Sequence, residues 1–428
     1  MKKIIAFILS LVLLTFLVAC GNQQAADVEP TPGAPAETEA PEEIEEPAET
    51  EAPEDTAEET DVTPEEEAFP GIIAIVTNTI DQNEEEFRSA EALVARFGED
   101  KIIHRTWPVY FAQEPEMMIT ILTEIASNHD VGAIVINQAV VNTNAAIDAV
   151  REIRGDEIFI VVCSAAEDPA DVYARVDLSL DINNPGIPQM FVEQAVAMGA
   201  ETIAHYSFPR HMAIPMLAAR RDGMMYYAEA AGIRFVDLPS PDPMEEGGMA
   251  ASQLFISQDV GRQVEELGVN TVFFSTNCGQ QVPLLQQVLE HGALYVQPCD
   301  PSPFHGFPQA LGLAAEGEEA VGSFTVEEII RLTEEAVAEA GMTGRLSNWA
   351  LPISMANTTV GFFYAVEWLN GRVSQEVGVV DEEVLLRLFG DYAEEMLGER
   401  VYPILSQLQI GPDTFSTMYV TIMPYIVY

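Results

Sequence analysis

The sequence is poor in positive charge, in cysteine and in long apolar runs. It contains 19 Lys and Arg residues against 69 Asp and Glu residues, which gives a formal net charge of −50 at pH 7. Such a charge disfavours nucleic acids and anionic membrane surfaces as partners, because both present phosphate groups. Only 4 cysteines occur. Beyond the N-terminus, no apolar stretch is long and uninterrupted enough to span a bilayer.

Familiar catalytic motifs are also missing. The sequence contains no His-Glu-x-x-His, no Walker loop, no Gly-x-Ser-x-Gly and no closely spaced Cys/His cluster. The 6 histidines are scattered along the chain. The sequence therefore predicts a protein that is not an enzyme, with no catalytic residues, no metal ligands and no cofactor.

The N-terminus has the layout of a secretory signal. Lys2 and Lys3 precede an apolar run over residues 4–18, and small residues follow it up to Cys20 and Gly21. Cysteine directly after Val-Ala and before Gly resembles the bacterial lipobox. This resemblance implies removal of residues 1–19, lipidation of Cys20, and a location on the extracytoplasmic face of the cell membrane, held there by the lipid alone. The alternative is an ordinary signal peptide or membrane anchor that contains a cysteine.

Residues 20–68 form an acidic segment with a biased composition. Residues 21–68 are mainly Glu, Pro, Ala and Thr, without Lys or Arg. Such a segment lacks the apolar area needed to offset its ordering entropy, so we expect a disordered, extended tether. A partner-binding acidic tail is the alternative.

The remaining chain alternates strand and helix patterns. Residues 71–81 read GIIAIVTNTID, an apolar strand that ends in polar Thr77, Asn78 and Thr79, and Asn83 then caps a predicted helix over 84–97. The unit recurs with strands at 101–106, 131–137, 158–163 and 174–178 and helices at 115–128 and 144–153. After a break at 181–186 it resumes with strands at 202–206, 234–238, 271–275 and 293–297 and helices at 187–198, 213–231, 252–267 and 281–290. Further helices are predicted at 326–340, 355–369 and 382–396, and a strand at 418–428.

This alternation predicts an α/β protein with two doubly wound parallel-sheet lobes, joined by a hinge, with a ligand cleft between them. The first lobe is expected over residues 69–181 and the second over 182–342. Residues 401–428 are not assigned to either lobe.

Two such lobes behind a lipobox and a tether resemble the type I periplasmic binding proteins, whose fold also forms the effector-binding core of lac-repressor-like regulators. The stretch 205–212, HYSFPRHM, suggests a poorly characterised lipoprotein branch of that superfamily. The resemblance implies reversible capture of a small solute for an ABC-type permease, or for a sensor. It also implies three crossings between the lobes, so that part of 343–400 returns to the first lobe.

Polar residues follow most of the predicted strands, where ligands bind in open parallel sheets. The candidate ligand-binding residues are Asn78, Thr79, Trp107, Asn137, Gln138, Ser164, Tyr206, Arg210, His211, Asn277 and Asp300, with His305 a weaker candidate. Arg210 is the expected charged anchor, which suits a small ligand with an anionic group. The alternative pairs Arg210 with a carboxylate of its own lobe.

Two other functions remain open from the sequence. One is an extracytoplasmic hydrolase that uses the same cleft, and the other is a surface interaction protein whose cleft is vestigial. Cys278 and Cys299 follow neighbouring predicted strands, so a disulfide between them is a further hypothesis.

Overall fold

The computed structural model describes residues 68–80, 82–314 and 324–428. The predicted signal peptide, the lipidation site Cys20 and all but the last residue of the predicted tether lie outside this part. Within it, none of the helices combines the length and the apolar character needed to cross a bilayer.

The first lobe begins with alternating strands and helices. In chain order they are β1 (Ile72–Thr77), α1 (Glu84–Phe97), β2 (Ile102–Thr106), α2 (Pro115–Ser127), β3 (Val131–Ile136), α3 (Thr143–Arg154), β4 (Phe159–Cys163), α4 (Pro169–Tyr173) and β5 (Leu178–Ile182). The five strands are parallel and lie in the order β2-β1-β3-β4-β5. This is the doubly wound order in which ligands bind beyond the carboxyl ends of the strands.

The second lobe repeats the pattern on a smaller scale. Its elements are α5 (Ile187–Ala197), β6 (Thr202–Ser207), α6 (Pro209–Met212), α7 (Pro215–Ala231), β7 (Arg234–Pro239), α8 (Gly248–Leu267), β8 (Thr271–Ser275), α9 (Gln281–His291), α10 (Phe307–Ala310), α11 (Val326–Glu339) and β9 (Ser347–Trp349). Strands β7-β6-β8 form a parallel sheet, and single parallel bridges at Leu294 and Tyr295 extend this side.

The C-terminal part of the chain returns to the first lobe. Its elements are α12 (Ile353–Leu369), α13 (Glu382–Leu397), β10 (Ile404–Ile410), β11 (Asp413–Ile422) and β12 (Tyr425–Val427). Helix α12 packs on α1 and on β3, β4 and β5, while β11 pairs with β5 in parallel and β10 with β11 in antiparallel fashion. Strand β12 then pairs with β9, so the chain crosses between the lobes three times.

Local sequence explains why these elements form where they do. In β1, Ile73, Ala74, Ile75 and Val76 are fully buried, as expected of a strand covered on both faces. Asn83 caps α1 by accepting a hydrogen bond from the backbone N–H of Glu86. On α12, Gly361 permits a close approach to the sheet, since a Cβ there would lie 3.0 Å from Cγ1 of Val161. The fold class predicted from the sequence is confirmed.

The fifth strand was placed too early by the sequence pattern. Residues 174–178 were expected to form it, but α4 ends at Tyr173 and β5 runs over Leu178–Ile182. Strand β5 alternates apolar Leu178, Leu180 and Ile182 with polar Ser179 and Asp181, and the break expected at 181–186 overlaps its last two residues. Asp181 therefore lies in a strand instead of in the predicted turn between lobes.

Three further boundaries differ because of proline or of incomplete pairing. The predicted helix 213–231 begins two residues later, at Pro215, as α7, and a separate short helix, α6, precedes it at Pro209–Met212. The predicted strand 293–297 makes only isolated bridges. The predicted strand 418–428 is two strands, β11 and β12, which belong to different sheets and are separated at Met423 and Pro424.

Candidate functional site

A cleft lies where the carboxyl ends of the two parallel sheets face each other. It encloses about 990 Å³ of empty space, part of which is open solvent. Of the predicted ligand residues, those that line it are Asn78, Gln138, Ser164, Arg210, His211, Asn277 and Asp300. The first three follow β1, β3 and β4 of the first lobe, and the other four belong to the second lobe. The cleft walls also include apolar side chains, among them Phe111, Met216, Met244 and Met249.

Two of the first-lobe residues have an unusual backbone conformation. Gln138 has φ 52° and Ser164 has φ 51°, in the left-handed region that residues other than glycine rarely adopt. Gln138 is the second residue after β3 and Ser164 the first after β4. Their backbone N–H groups donate to Asn137 Oδ1 at 2.8 Å and to the Leu180 carbonyl at 3.2 Å, respectively. Such strain is concentrated at binding and catalytic sites, where the surrounding structure maintains it.

Several buried polar atoms in the cleft walls have no hydrogen-bond partner among the described residues. They are Asn78 Oδ1, Asn83 Nδ2, Asn184 Oδ1 and Arg220 Nε. A buried polar group without a partner costs about 1–3 kcal/mol, so such groups normally bond to something.

Asn137 and Trp107 do not reach the cleft, contrary to the sequence-based prediction. Asn137 is fully buried, and its amide nitrogen donates to the Ser354 carbonyl at 3.1 Å and to Thr358 Oγ1. It therefore fixes α12 to the end of β3. Trp107 is 1% exposed and donates from Nε1 to the Gln138 carbonyl at 3.0 Å, so it supports the Gln138 backbone from inside the first lobe.

Tyr206 and Thr79 are also outside the cleft lining. Tyr206 points to the opposite face of its strand, where its hydroxyl donates to Asp259 Oδ2 on α8 at 2.9 Å. Burial and the Asp259 charge both raise the pKa of Tyr206. Thr79 donates from Oγ1 to Gln82 Oε1 at 3.3 Å. In a strand, neighbouring side chains point to opposite faces of the sheet. The position of Tyr206 at the end of a predicted strand did not show which face its side chain occupies.

Arg210 lines the cleft, but a carboxylate of its own lobe already occupies its guanidinium fork. Its Nε and Nη2 donate to Asp242 Oδ2 and Oδ1, each at 2.8 Å. Burial raises the pKa of Asp242, but the Arg210 hydrogen bonds, the Met244 N–H and the Arg210 charge together outweigh this and lower it below its usual value. The Arg210 side chain also lies 5.2 Å from the centre of the Phe208 ring. This is the arrangement of the alternative, in which Arg210 is a scaffold residue, and it corrects the expectation of a free two-pronged anchor.

Arg220 is a cleft residue that the sequence analysis missed. It is 1% exposed, its Nη1 donates to the Cys299 carbonyl at 3.0 Å, and its guanidinium lies 5.0 Å from the centre of the Phe274 ring. Burial lowers its pKa, and the charges of Asp300 and Asp181 act in the opposite direction. A signal existed, since Met216, Arg220, Met224 and Ala228 recur at four-residue spacing and all are buried on α7.

Asp181, near the end of β5, carries a carboxylate on the first-lobe side of the cleft. Among the described residues that line the cleft, no other first-lobe residue carries one. Burial raises the pKa of Asp181 to about 7, and the charge of Asp300 acts in the same direction, while the Ile182 N–H and Arg220 act against it. A substantial fraction of this carboxyl is therefore neutral at physiological pH and can donate a hydrogen bond. Behind the cleft, burial likewise raises the pKa of Glu85 to about 7.

His211 and Asn277 complete the second-lobe wall. His211 Nδ1 lies 3.0 Å from Thr276 Oγ1, and burial together with the Arg210 charge lowers its pKa to about 3, so the ring is neutral at pH 7. Asn277 Oδ1 accepts the Gly279 N–H at 3.1 Å, which caps the following turn. Cys278, Cys299 and Asp300 lie beside it.

Two doubly wound lobes, three crossings and a cleft at the carboxyl ends of both sheets define the type I periplasmic binding protein fold. A crystallised protein of Clostridium difficile 630, described as a candidate transcriptional regulator, has this fold: it is 20% identical, covers 84% of this chain and 100% of its own length, and superposes with a TM-score of 0.64. An ABC transporter solute-binding protein of Actinobacillus succinogenes 130z with bound D-allose is 13% identical over 74% of this chain and 99% of its own, with a TM-score of 0.48.

The chain belongs to the DUF3798 family, described as proteins of unknown function, whose model matches residues 72–347. An uncharacterised protein of Treponema pallidum (strain Nichols) is 29% identical over 177 residues, which is 40% of this chain and 79% of the relative. A member of this family therefore adopts the type I periplasmic binding protein fold.

Proposed function

We propose that this protein is a solute-binding protein that captures a small polar molecule between its lobes without transforming it. The observation that carries the proposal is the convergence of Asn78, Gln138, Ser164, His211 and Asn277 on one cleft, from the strand ends of both sheets. Two of these residues are held on strained backbone. Strain of this kind is retained when a precise side-chain position is needed.

The cleft chemistry favours a solute without a net negative charge. The Arg210 fork is bonded to Asp242, and Arg220 lies near Asp181 and Asp300. The groups left for a ligand are mainly amides, hydroxyls and a partly protonated carboxyl, which suit hydroxyl or amide groups. Phe111 and three methionines offer an adaptable apolar face. A monosaccharide-sized polyhydroxyl molecule, or a related ring compound, fits both properties.

The cellular role that we propose combines this cleft with the N-terminal sequence. Residues 1–20 support secretion and lipidation at Cys20, and residues 20–68 support a tether that holds the body away from the membrane. The protein would then act on the extracytoplasmic face and deliver its solute to an ABC-type permease or report it to a sensor.

The test is to identify the bound molecule and measure its effect. Native mass spectrometry of the purified protein should reveal a retained solute. Thermal unfolding against panels of monosaccharides, nucleosides and amino acids should show stabilisation by one class, because a ligand that binds only the folded state raises its stability. Gln138→Ala should abolish most of this stabilisation, whereas Gln113→Ala, outside the cleft lining, should not. Chemical conversion of the stabilising compound, or no stabilisation by any panel, contradicts the proposal.

A further inference from the structure

Three side chains with metal-binding atoms meet at one side of the cleft floor. One ligand atom each from Cys278, Cys299 and His305 lies within 4.8 Å of the other two. The two sulphur atoms are 3.3 Å apart, and Asp300 Oδ2 lies 3.2 Å from Cys278 Sγ and 3.6 Å from Cys299 Sγ. The four residues come from two loops, after β8 and before α10, that the fold brings together.

We propose that Cys278, Cys299 and His305, with Asp300 as the fourth ligand, form a zinc-binding site at the floor of the cleft. This inference goes beyond solute binding and does not depend on it. Two thiolates, an imidazole and a carboxylate are ligands that Zn²⁺ accepts in tetrahedral sites. Thiolates disfavour Mg²⁺ and Ca²⁺, which prefer oxygen ligands.

The spacing of the sulphur atoms is nearer to that of a shared metal than to that of a disulfide. Thiolates bound at about 2.3 Å in a tetrahedron are about 3.8 Å apart, so the sulphurs need to separate by about 0.5 Å from their 3.3 Å distance. A disulfide bond of about 2.05 Å requires them to approach by more than 1 Å. Both thiols are free in the structure.

The surroundings of His305 orient its ring as in metal sites. Its Nδ1 lies 2.8 Å from the Asp300 backbone carbonyl. A carbonyl can only accept, so Nδ1 carries the hydrogen in this bond, and in the neutral ring Nε2 has a free lone pair. Ligating histidines commonly use such a bond to a carbonyl or carboxylate to fix the ring and its tautomer. Glu85 Oε2, 3.8 Å from Nδ1, adds a carboxylate on the same side.

Access and charge also suit a bound cation. Cys278, Cys299 and Asp300 line the cleft, so an ion can enter from it. Two thiolates and one carboxylate would exceed the charge of Zn²⁺ by one negative unit. Buried Arg220 supplies a positive charge close by, since it bonds to the carbonyl of Cys299.

The experiment uses the purified protein, prepared with reduced thiols and free of metal. We expect it to bind one equivalent of Zn²⁺ by elemental analysis, and Co²⁺ as a probe should produce thiolate-to-metal charge-transfer absorption. Cys278→Ser, Cys299→Ser and His305→Gln should each weaken Zn²⁺ binding by more than the ~10–100-fold typical of residues that only support a ligand. Cys163→Ala and His129→Gln are matched controls outside the cluster and should bind as the wild type does.

A second measurement avoids reliance on variants that fail to fold. In the wild type, Zn²⁺ should protect Cys278 and Cys299 from alkylation, read residue by residue by peptide mass spectrometry. The proposal is overturned if the reduced protein binds no stoichiometric Zn²⁺, if both serine variants bind it unchanged, or if Zn²⁺ leaves alkylation unaffected. These measurements need no solute, so their failure leaves solute binding untouched, and failure of the solute panels leaves the zinc site untouched.

Discussion

The two lobes place different chemistry at the ends of their sheets. The first lobe contributes amide and hydroxyl groups, at Asn78, Gln138 and Ser164, and two of these stand on left-handed backbone. The second lobe adds neutral His211 and Asn277 together with an ion pair, in which Arg210 and Asp242 bond to each other. Arg210, the charged anchor expected from the sequence, is therefore already bonded to Asp242, while the neutral residues of the first lobe are free to contact a solute. In the cleft, the Arg210–Asp242 ion pair stabilises the second lobe, and the neutral polar side chains are the groups that can recognise a solute.

The largest effect that tests this contrast should come from Arg220. Arg220→Met removes the buried cation near Asp181 and Asp300 and leaves their charges uncompensated. Removing one partner of a buried charge group typically costs 3–5 kcal/mol, so we expect a loss of about 3 kcal/mol or more in urea unfolding. Arg221→Met is the matched control, because this partly exposed neighbour pairs with Asp237 and Asp222 and should cost less than about 1 kcal/mol. Equal losses of stability in the two variants would show that Arg220 does not stabilise the fold by compensating the charges of Asp181 and Asp300.

A smaller loss is expected at Arg210, and it should appear in stability and not in affinity. Arg210→Ala leaves the carboxylate of Asp242, which is 6% exposed, with the Met244 N–H as its only hydrogen-bond partner among the described residues. We expect a loss of about 1–3 kcal/mol in the free energy of unfolding, typical of an uncompensated charged hydrogen-bonding group. Affinity for the identified solute, measured by calorimetry, should change less than about threefold. A large loss of affinity at unchanged stability would restore Arg210 as the ligand anchor.

The pH dependence of stability should show that the Asp181 carboxyl, on the first-lobe side of the cleft, has a raised pKa in the folded protein. Burial raises its pKa to about 7 from the usual 3.8, so the folded state binds the proton more tightly than the unfolded state. Stability from this group is greatest at low pH and is lost as pH rises from about 4 to 7. Asp181→Asn should flatten the unfolding free energy over that range by about 1 kcal/mol or more. An unchanged pH profile would show that the carboxyl is solvated.

The smallest effects should come from relieving the backbone strain. Glycine adopts positive φ without a steric penalty, so Gln138→Gly and Ser164→Gly should each raise the free energy of unfolding by up to about 1 kcal/mol and weaken solute binding. Asn142 also has positive φ, at 82°, but does not line the cleft. Asn142→Gly should therefore leave binding unchanged. A loss of stability in both cleft variants would mean that their side chains serve packing.

Sequence patterns were most informative where the apolar residues of an element follow one pattern throughout, either a continuous apolar strand or a helical repeat. The bounds of strand β1, a continuous apolar run, and of the capped helix α1 were predictable to within one residue. The fold class, with two parallel-sheet lobes, was also predictable. Strand β5 was misplaced because Ser179 and Asp181 interrupt its apolar residues. Position after a strand indicated the cleft edge, but it did not show that Asn137 bonds to α12, more than two hundred residues later in the chain. The sequence suggested that Cys278 lies near Cys299, as a disulfide hypothesis, but it did not show that His305 joins the two thiols in one cluster.

The return of the chain to the first lobe has a consequence for how the protein is made. Thr421 bonds to the Asp181 carbonyl across 240 positions of sequence, and α12 covers the face of strands that were synthesised long before it. Contacts of such long range close slowly, because the loop between them must first be ordered. The first lobe, whose first strands leave the ribosome early, is therefore completed only after α12, β10 and β11 have been synthesised. Until Ile353 and the residues after it have been synthesised, the face of β3, β4 and β5 that α12 covers stays unpacked.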